Sequence, residues 1–67
     1  MNDIVEQIGF NIRRMREERG LSQEKLGALA GLHRAYIGQV ERGEKSIGLK
    51  NLEKVAKALG LNTKDLL

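Results

Sequence analysis

Residues Leu21–Gly43 read LSQEKLGALAGLHRAYIGQVERG, and the fold turns on two helical patterns inside this stretch. One helix is expected from Gln23 to Ala30 and another from Arg34 to Arg42, with only Gly31, Leu32 and His33 between them. A connection that short, opened by a glycine able to take a left-handed turn, fits two helices that cross steeply. Such a crossing makes demands on the sequence. Leu26, Ala30, Leu32, Ile37 and Val40 must be apolar to bury it, and position 27 must be small because the second helix passes close by. All are met, although Gly27 in a helix interior costs about 0.5–1 kcal/mol relative to alanine.

Working outward, one device punctuates the chain. An apolar residue just before a helix cap packs on another five positions later, the hydrophobic staple. Leu21 with Leu26, Leu32 with Ile37, Ile47 with Leu52 and Leu61 with Leu66 have this spacing, which makes Ser22, His33, Gly48 and Asn62 the caps. Serine and asparagine are strong caps, glycine is acceptable and histidine is unusual. Lys25 stands where Glu or Gln would close a capping box with Ser22. Upstream, Ile4, Ile8, Ile12 and Met15 recur as one helical stripe, and Gly20 follows Arg19 where a C-terminal cap belongs. Downstream, Leu49, Leu52, Val55, Ala56 and Leu59 mark a helix closed by Gly60, with Lys50, Glu53, Lys54 and Lys57 on its wet face. Proline is absent and no strand alternation appears. The expectation is a single all-α domain over residues 1–67, a compact bundle of five short helices.

Composition narrows the chemistry. With no cysteine and one histidine in 67 residues, disulfides, thiolate sites and paired-histidine zinc sites are excluded, and no metal, cofactor or small-molecule ligand is expected. An enzyme fails on inventory: no cysteine nucleophile, no paired carboxylates and no phosphate-cradling glycine loop, so no catalytic residue is assigned. The apolar runs are too short for a membrane span and the N-terminus lacks a signal-peptide core, so a cytoplasmic protein is expected. The net charge of +3 is mild, but Arg13, Arg14, Arg16 and Arg19 crowd one segment.

Leu21–Gly43 resembles the Cro and phage-repressor (XRE) family of helix-turn-helix DNA-binding domains, the lambda-repressor-like fold. The flanking NIRRMREERG and IGLKNLEKVAKALGL also fit its pattern, so the resemblance covers nearly the whole chain. Through GLHRAYIGQVERG the chain is most similar to the controller proteins of restriction–modification systems. The resemblance implies a transcriptional regulator or repressor whose second helix of the pair, Arg34–Arg42, lies in the major groove while the first braces the backbone.

The residues on that helix suit the task. With Ile37 facing the core and a step of about 100° per residue, Ala35, Gly38, Gln39 and Arg42 point most directly away, flanked by Arg34 and Tyr36. Ala35 and Gly38 leave clearance for the groove, and the Ala35 methyl can touch a thymine methyl. Arg34 can donate twice to guanine and Gln39 can pair with adenine. His33 has three readings: an imperfect helix cap, a phosphate or base contact at the helix start, or an incidental loop residue. Capping combined with a DNA contact is the one expected. Gln23, at a helix N-terminus and matched by the family pattern, is an expected phosphate anchor. Tyr36, Arg42, Lys45 and Ser46 are expected backbone clamps. Glu41 falls on the core side, where a bare carboxylate is costly; the family pattern pairs it with Arg16 as a structural ion pair.

One helix-turn-helix reads few base pairs, so a twofold homodimer on an inverted repeat, half-sites about 34 Å apart, is expected. Leu67 is left over once the staples are assigned, and Leu59, Leu61 and Leu66 lie nearby. The resemblance makes these four a C-terminal dimer surface; alternatively they complete the core of one chain. Nothing in 67 residues reads as an effector or activation domain. The rival function is a protein-interaction module of the same fold, antitoxin- or coactivator-like.

Overall fold

Each helix after the first begins just inside a staple pair. In a computed structural model, which describes residues 3–67, the helices are α1 (Ile4–Glu18), α2 (Gln23–Ala30), α3 (Arg34–Glu41) and α4 (Leu49–Ala58), followed by a 3-10 turn at Thr63–Leu66. Their caps after α1 are Ser22, His33, Gly48 and Asn62, all in extended backbone conformation. The inner staple residues Leu26, Ile37, Leu52 and Leu66 are all fully buried, while Leu21, Leu32, Ile47 and Leu61 pack half-buried against the same core. A fully buried leucine or isoleucine contributes roughly 1.5–3 kcal/mol over an exposed one, so the staples stabilise the core as well as the helix ends.

Five helices were expected and the described residues hold four. The fifth segment closes as one 3-10 turn of four residues. So short a segment gains little from α-helical bonds, and the tighter i→i+3 geometry serves it better. Ile4 and Leu49 also depart from expectation: both lie on apolar stripes, yet they are 56% and 81% exposed. Each is the first residue of its helix. A helical side chain leans toward its own N-terminus, so at the first helical position it has no preceding turn of its own helix to cover.

α3 lies against both α1 and α2, α4 packs on α2, and the 3-10 turn closes against α4 and α1. Asp3 caps α1 reciprocally with Glu6, whose N–H donates to the Asp3 carboxylate at 2.9 Å. The α1–α3 crossing is backbone on backbone. A Cβ on Gly9 would run into the Val40 carbonyl oxygen and crowd that of Glu41.

About two turns further along α1, a charge pair completes the crossing. Arg16 Nε donates to Glu41 Oε2 at 2.7 Å and its Nη2 to Oε1 at 2.9 Å; the Glu41 side chain is only 2% exposed. The remaining Arg16 nitrogen, Nη1, donates to the Leu21 carbonyl at 2.8 Å. This fork-on-fork geometry is the strong form of the ion pair. Hydrogen bonding to Glu41 raises the Arg16 pKa against the opposing effect of burial, which keeps the guanidinium charged. No buried side-chain nitrogen or oxygen among the described residues lacks a partner.

Two substitutions probe this crossing. Arg16→Ala strands the Glu41 carboxylate and is expected to cost about 3–5 kcal/mol of stability. Gly9→Ala is expected to cost about 1–3 kcal/mol, because the obstacle is backbone. Thermal denaturation reads both, and an unchanged Tm for either would overturn the account given for it.

Candidate nucleic-acid interface

The α2–α3 turn is built from three local contacts. Gly31 ends α2 in the left-handed region at φ 73°, which favours glycine. The Leu32 N–H then closes back on the Gly27 carbonyl at 2.8 Å. At Gly27 a Cβ would stand 2.5 Å from the Leu32 carbonyl oxygen and 3.4 Å from the Arg34 nitrogen, so this small residue admits the turn and the start of α3. His33 completes the turn: its Nδ1 accepts the Ala35 N–H at 3.0 Å. A neutral imidazole accepting at Nδ1 carries its proton on Nε2, leaving a donor on the exposed side of His33.

On the outward face of α3, Arg34 and Ala35 are exposed and Gln39 is half-buried. Arg34 Nη1 meets Glu24 Oε2 of α2 at 3.0 Å, and Arg42 Nε meets Glu44 Oε2 at 2.8 Å. Hydrogen bonding from Arg42 lowers the Glu44 pKa, and the same bond raises that of Arg42. All four side chains are more than half exposed. Exposed pairs of this kind contribute little, about 0–1 kcal/mol, so both guanidiniums exchange readily onto another anion.

Gly38 corrects an expectation. It is buried, and what covers it is this chain's own side chains: a Cβ there would lie 3.1 Å from Arg42 Nη1 and 3.4 Å from Gln23 Oε1. The clearance seats Gln23 and Arg42 and does not open α3 to a groove. Gln23 is accordingly fixed. Its Nε2 donates to Glu41 Oε1 at 3.0 Å, which ties the start of α2 to the buried ion pair. A shallow hollow beside it is lined by Arg13, Arg16, Gln23, Glu41 and Arg42. Arg13 therefore joins the face from α1. The arginine crowding was visible in the sequence, but which arginine turns this way depends on how α1 crosses α3.

Beyond α3, Lys45 and Ser46 are exposed in the loop to α4. Lys45 Nζ stands 5.9 Å from the centroid of the half-buried Tyr36 ring, and Asn51 Nδ2 of α4 donates to Tyr36 Oη at 3.1 Å. Gly48 caps α4 without any side-chain hydrogen bond. Asn51 carried no signal in the sequence, since its partner is fifteen residues away on another helix.

The four leucines expected at a C-terminal dimer surface separate. Leu59 and Leu66, 3% and 0% exposed, belong to the core of the single chain. Leu61 is half-buried and Leu67 is 56% exposed.

A family profile described as helix-turn-helix matches residues 12–66. The chain belongs to the helix-turn-helix family. Its relatives include control protein C.BamHI of Bacillus amyloliquefaciens, 45% identical over 67 residues, which cover 98% of this chain and 83% of that protein. Control protein C.SmaI of Serratia marcescens is 46% identical over 65 residues, 97% of this chain and 77% of that one. The crystal structure of the restriction-modification controller protein C.AhdI from Aeromonas hydrophila matches with a TM-score of 0.92 at 41% identity, covering 94% of this chain and 96% of that one. No helix of this helix-turn-helix protein, among the described residues, is long and apolar enough to cross a membrane.

Gly38→Ala separates fold from interface. The obstructing atoms are side-chain ends, so the helix propensity gained, about 0.5–1 kcal/mol, is set against strain on the Gln23–Glu41 hydrogen bond. Stability is expected to stay close to that of the parent. DNA affinity is expected to fall, because Gln23 and Arg42 are displaced. A variant that melts well below the parent would overturn this reading of Gly38.

Proposed function

We propose that this helix-turn-helix protein is a sequence-specific, double-stranded DNA-binding transcriptional regulator that sits as a homodimer on an inverted-repeat operator. The observation that carries the reading is the α3 face. Arg34 and Ala35 stand exposed, with Gln39 half-buried beside them, on a helix held at its start by a glycine turn and at its end by a buried ion pair. In the major groove, Arg34 donates twice to a guanine, Gln39 pairs with an adenine and Ala35 meets a thymine methyl. His33 offers its Nε2 proton to a base or phosphate at the mouth of the groove. Gln23, Tyr36, Arg42, Lys45 and Ser46 hold the phosphate backbone and fix the register.

The similarity to control proteins, one of them a restriction-modification controller, supports the same office for this chain, carried out in the cytoplasm with the DNA. Repression or activation follows from where the operator lies relative to a promoter. Dimerisation uses the surface around the exposed Leu67 and the uncovered part of Leu61, which packs half-buried against the core. Twofold symmetry then doubles the bases read, since one recognition helix covers only a few.

Selection of bound duplexes from a random pool tests the whole reading, and an enriched inverted repeat is the expected outcome. No enrichment even at low salt would overturn it in favour of a protein-interaction module. On the selected duplex, Gln39→Ala is expected to relax discrimination at one position per half-site by about 1–3 kcal/mol; uniform weakening would make Gln39 a positioning contact instead. Sedimentation at high micromolar concentration is expected to show a dimer, and a monomer there would remove that part of the proposal.

A further inference from the structure

We propose that Asn51 is a positioning residue for Tyr36, holding the phenol so that its hydroxyl proton is left for a DNA phosphate. The inference rests on the DNA-binding reading above and adds a residue that reading does not use. Asn51 lies in the first turn of α4, where Gly48 is already the cap. Asparagine is a weak helix former inside a helix, so its presence there calls for a partner. The partner is the Tyr36 hydroxyl on α3, which accepts from Asn51 Nδ2 at 3.1 Å.

The direction of that bond matters. A phenol donates one proton and accepts at its oxygen. Because Asn51 is the donor, the acceptor side of Tyr36 Oη is occupied and its proton remains to be given away. An aspartate at position 51 would do the reverse and consume the proton. The ring itself packs half-buried against the core, so the phenol is held at both ends. Lys45 Nζ, 5.9 Å from the ring centroid, places a positive charge over the same ring. A free donor, a fixed ring and an adjacent ammonium suit one oxygen of a phosphodiester.

Tyr36 is the only tyrosine in the chain and tryptophan is absent, so its ring resonances can be followed without ambiguity. In the free protein, Asn51→Ala is expected to shift those resonances and leave the core methyl resonances in place; an unmoved ring would overturn the contact independently of DNA. Binding is then measured at low salt on a mixed-sequence duplex and on the duplex selected from the random pool. Tyr36→Phe is expected to weaken both by about tenfold or more, the worth of one hydrogen bond to a charged phosphate, and Asn51→Ala by a smaller but measurable factor. The salt slope should stay unchanged, because no charge is removed.

The decisive comparison is the double variant, expected to bind no more weakly than Tyr36→Phe alone. A purely structural role for Asn51 would add its own loss in that background and would sink the proposal. So would weakening by Tyr36→Phe with full affinity in Asn51→Ala, an outcome that leaves the regulator reading intact. Failure of the parent protein to bind either duplex would overturn both readings together.

Discussion

A buried carboxylate sets the terms for this structure. Glu41 is the last residue of α3, at the negative end of the helix dipole and almost wholly out of water, a place where an unpaired charge is costly. Arg16 compensates it with two hydrogen bonds from α1, and its third bond, to the Leu21 carbonyl, pins the entry to α2. Gln23 adds a further donor from α2 itself. One carboxylate therefore fixes three helices relative to one another. It also links the stability of the fold to the orientation of Gln23, a residue of the proposed DNA-binding face.

Three helix-interior glycines serve this arrangement, each through a different neighbour. Gly9 gives way to the backbone of α3, Gly27 to the turn that launches α3, and Gly38 to the side chains of Gln23 and Arg42. Each costs helix propensity relative to alanine, and each cost is offset by a contact that a methyl group would block. For the first two the neighbour is main chain and cannot yield. For the third it is the flexible end of a side chain, so the constraint falls on the interface and not on the fold.

The same economy of contacts governs the outward face. Arg34 and Arg42 are held by exposed carboxylates, Glu24 and Glu44, in pairs that solvent screens. These pairs order the side chains without committing them, so their loss on meeting phosphate or a base edge costs little. Tyr36 differs, being wedged between the core and Asn51. The face thus combines exchangeable charges with a fixed neutral donor. Phosphate attraction in such a surface is salt-dependent, whereas the fixed contacts set register.

By itself, the sequence determined the helix starts, the caps and the helix-turn-helix. These depend on residues within about one or two turns of each other, which spacing and side-chain chemistry reveal: Leu32 with Ile37 around His33, or Gly31 closing α2. The outward direction of Arg34 and Ala35 was legible for the same reason. Only the tertiary structure decided what depends on how separate helices meet. It showed that Gly9 is required by a carbonyl from residue 40, and that Gly38 seats two side chains of the chain itself. It also placed Leu59 and Leu66 in the core and brought Asn51 to Tyr36. Periodicity tells which side of a helix is apolar, but it carries no information about which distant atom will lie against it.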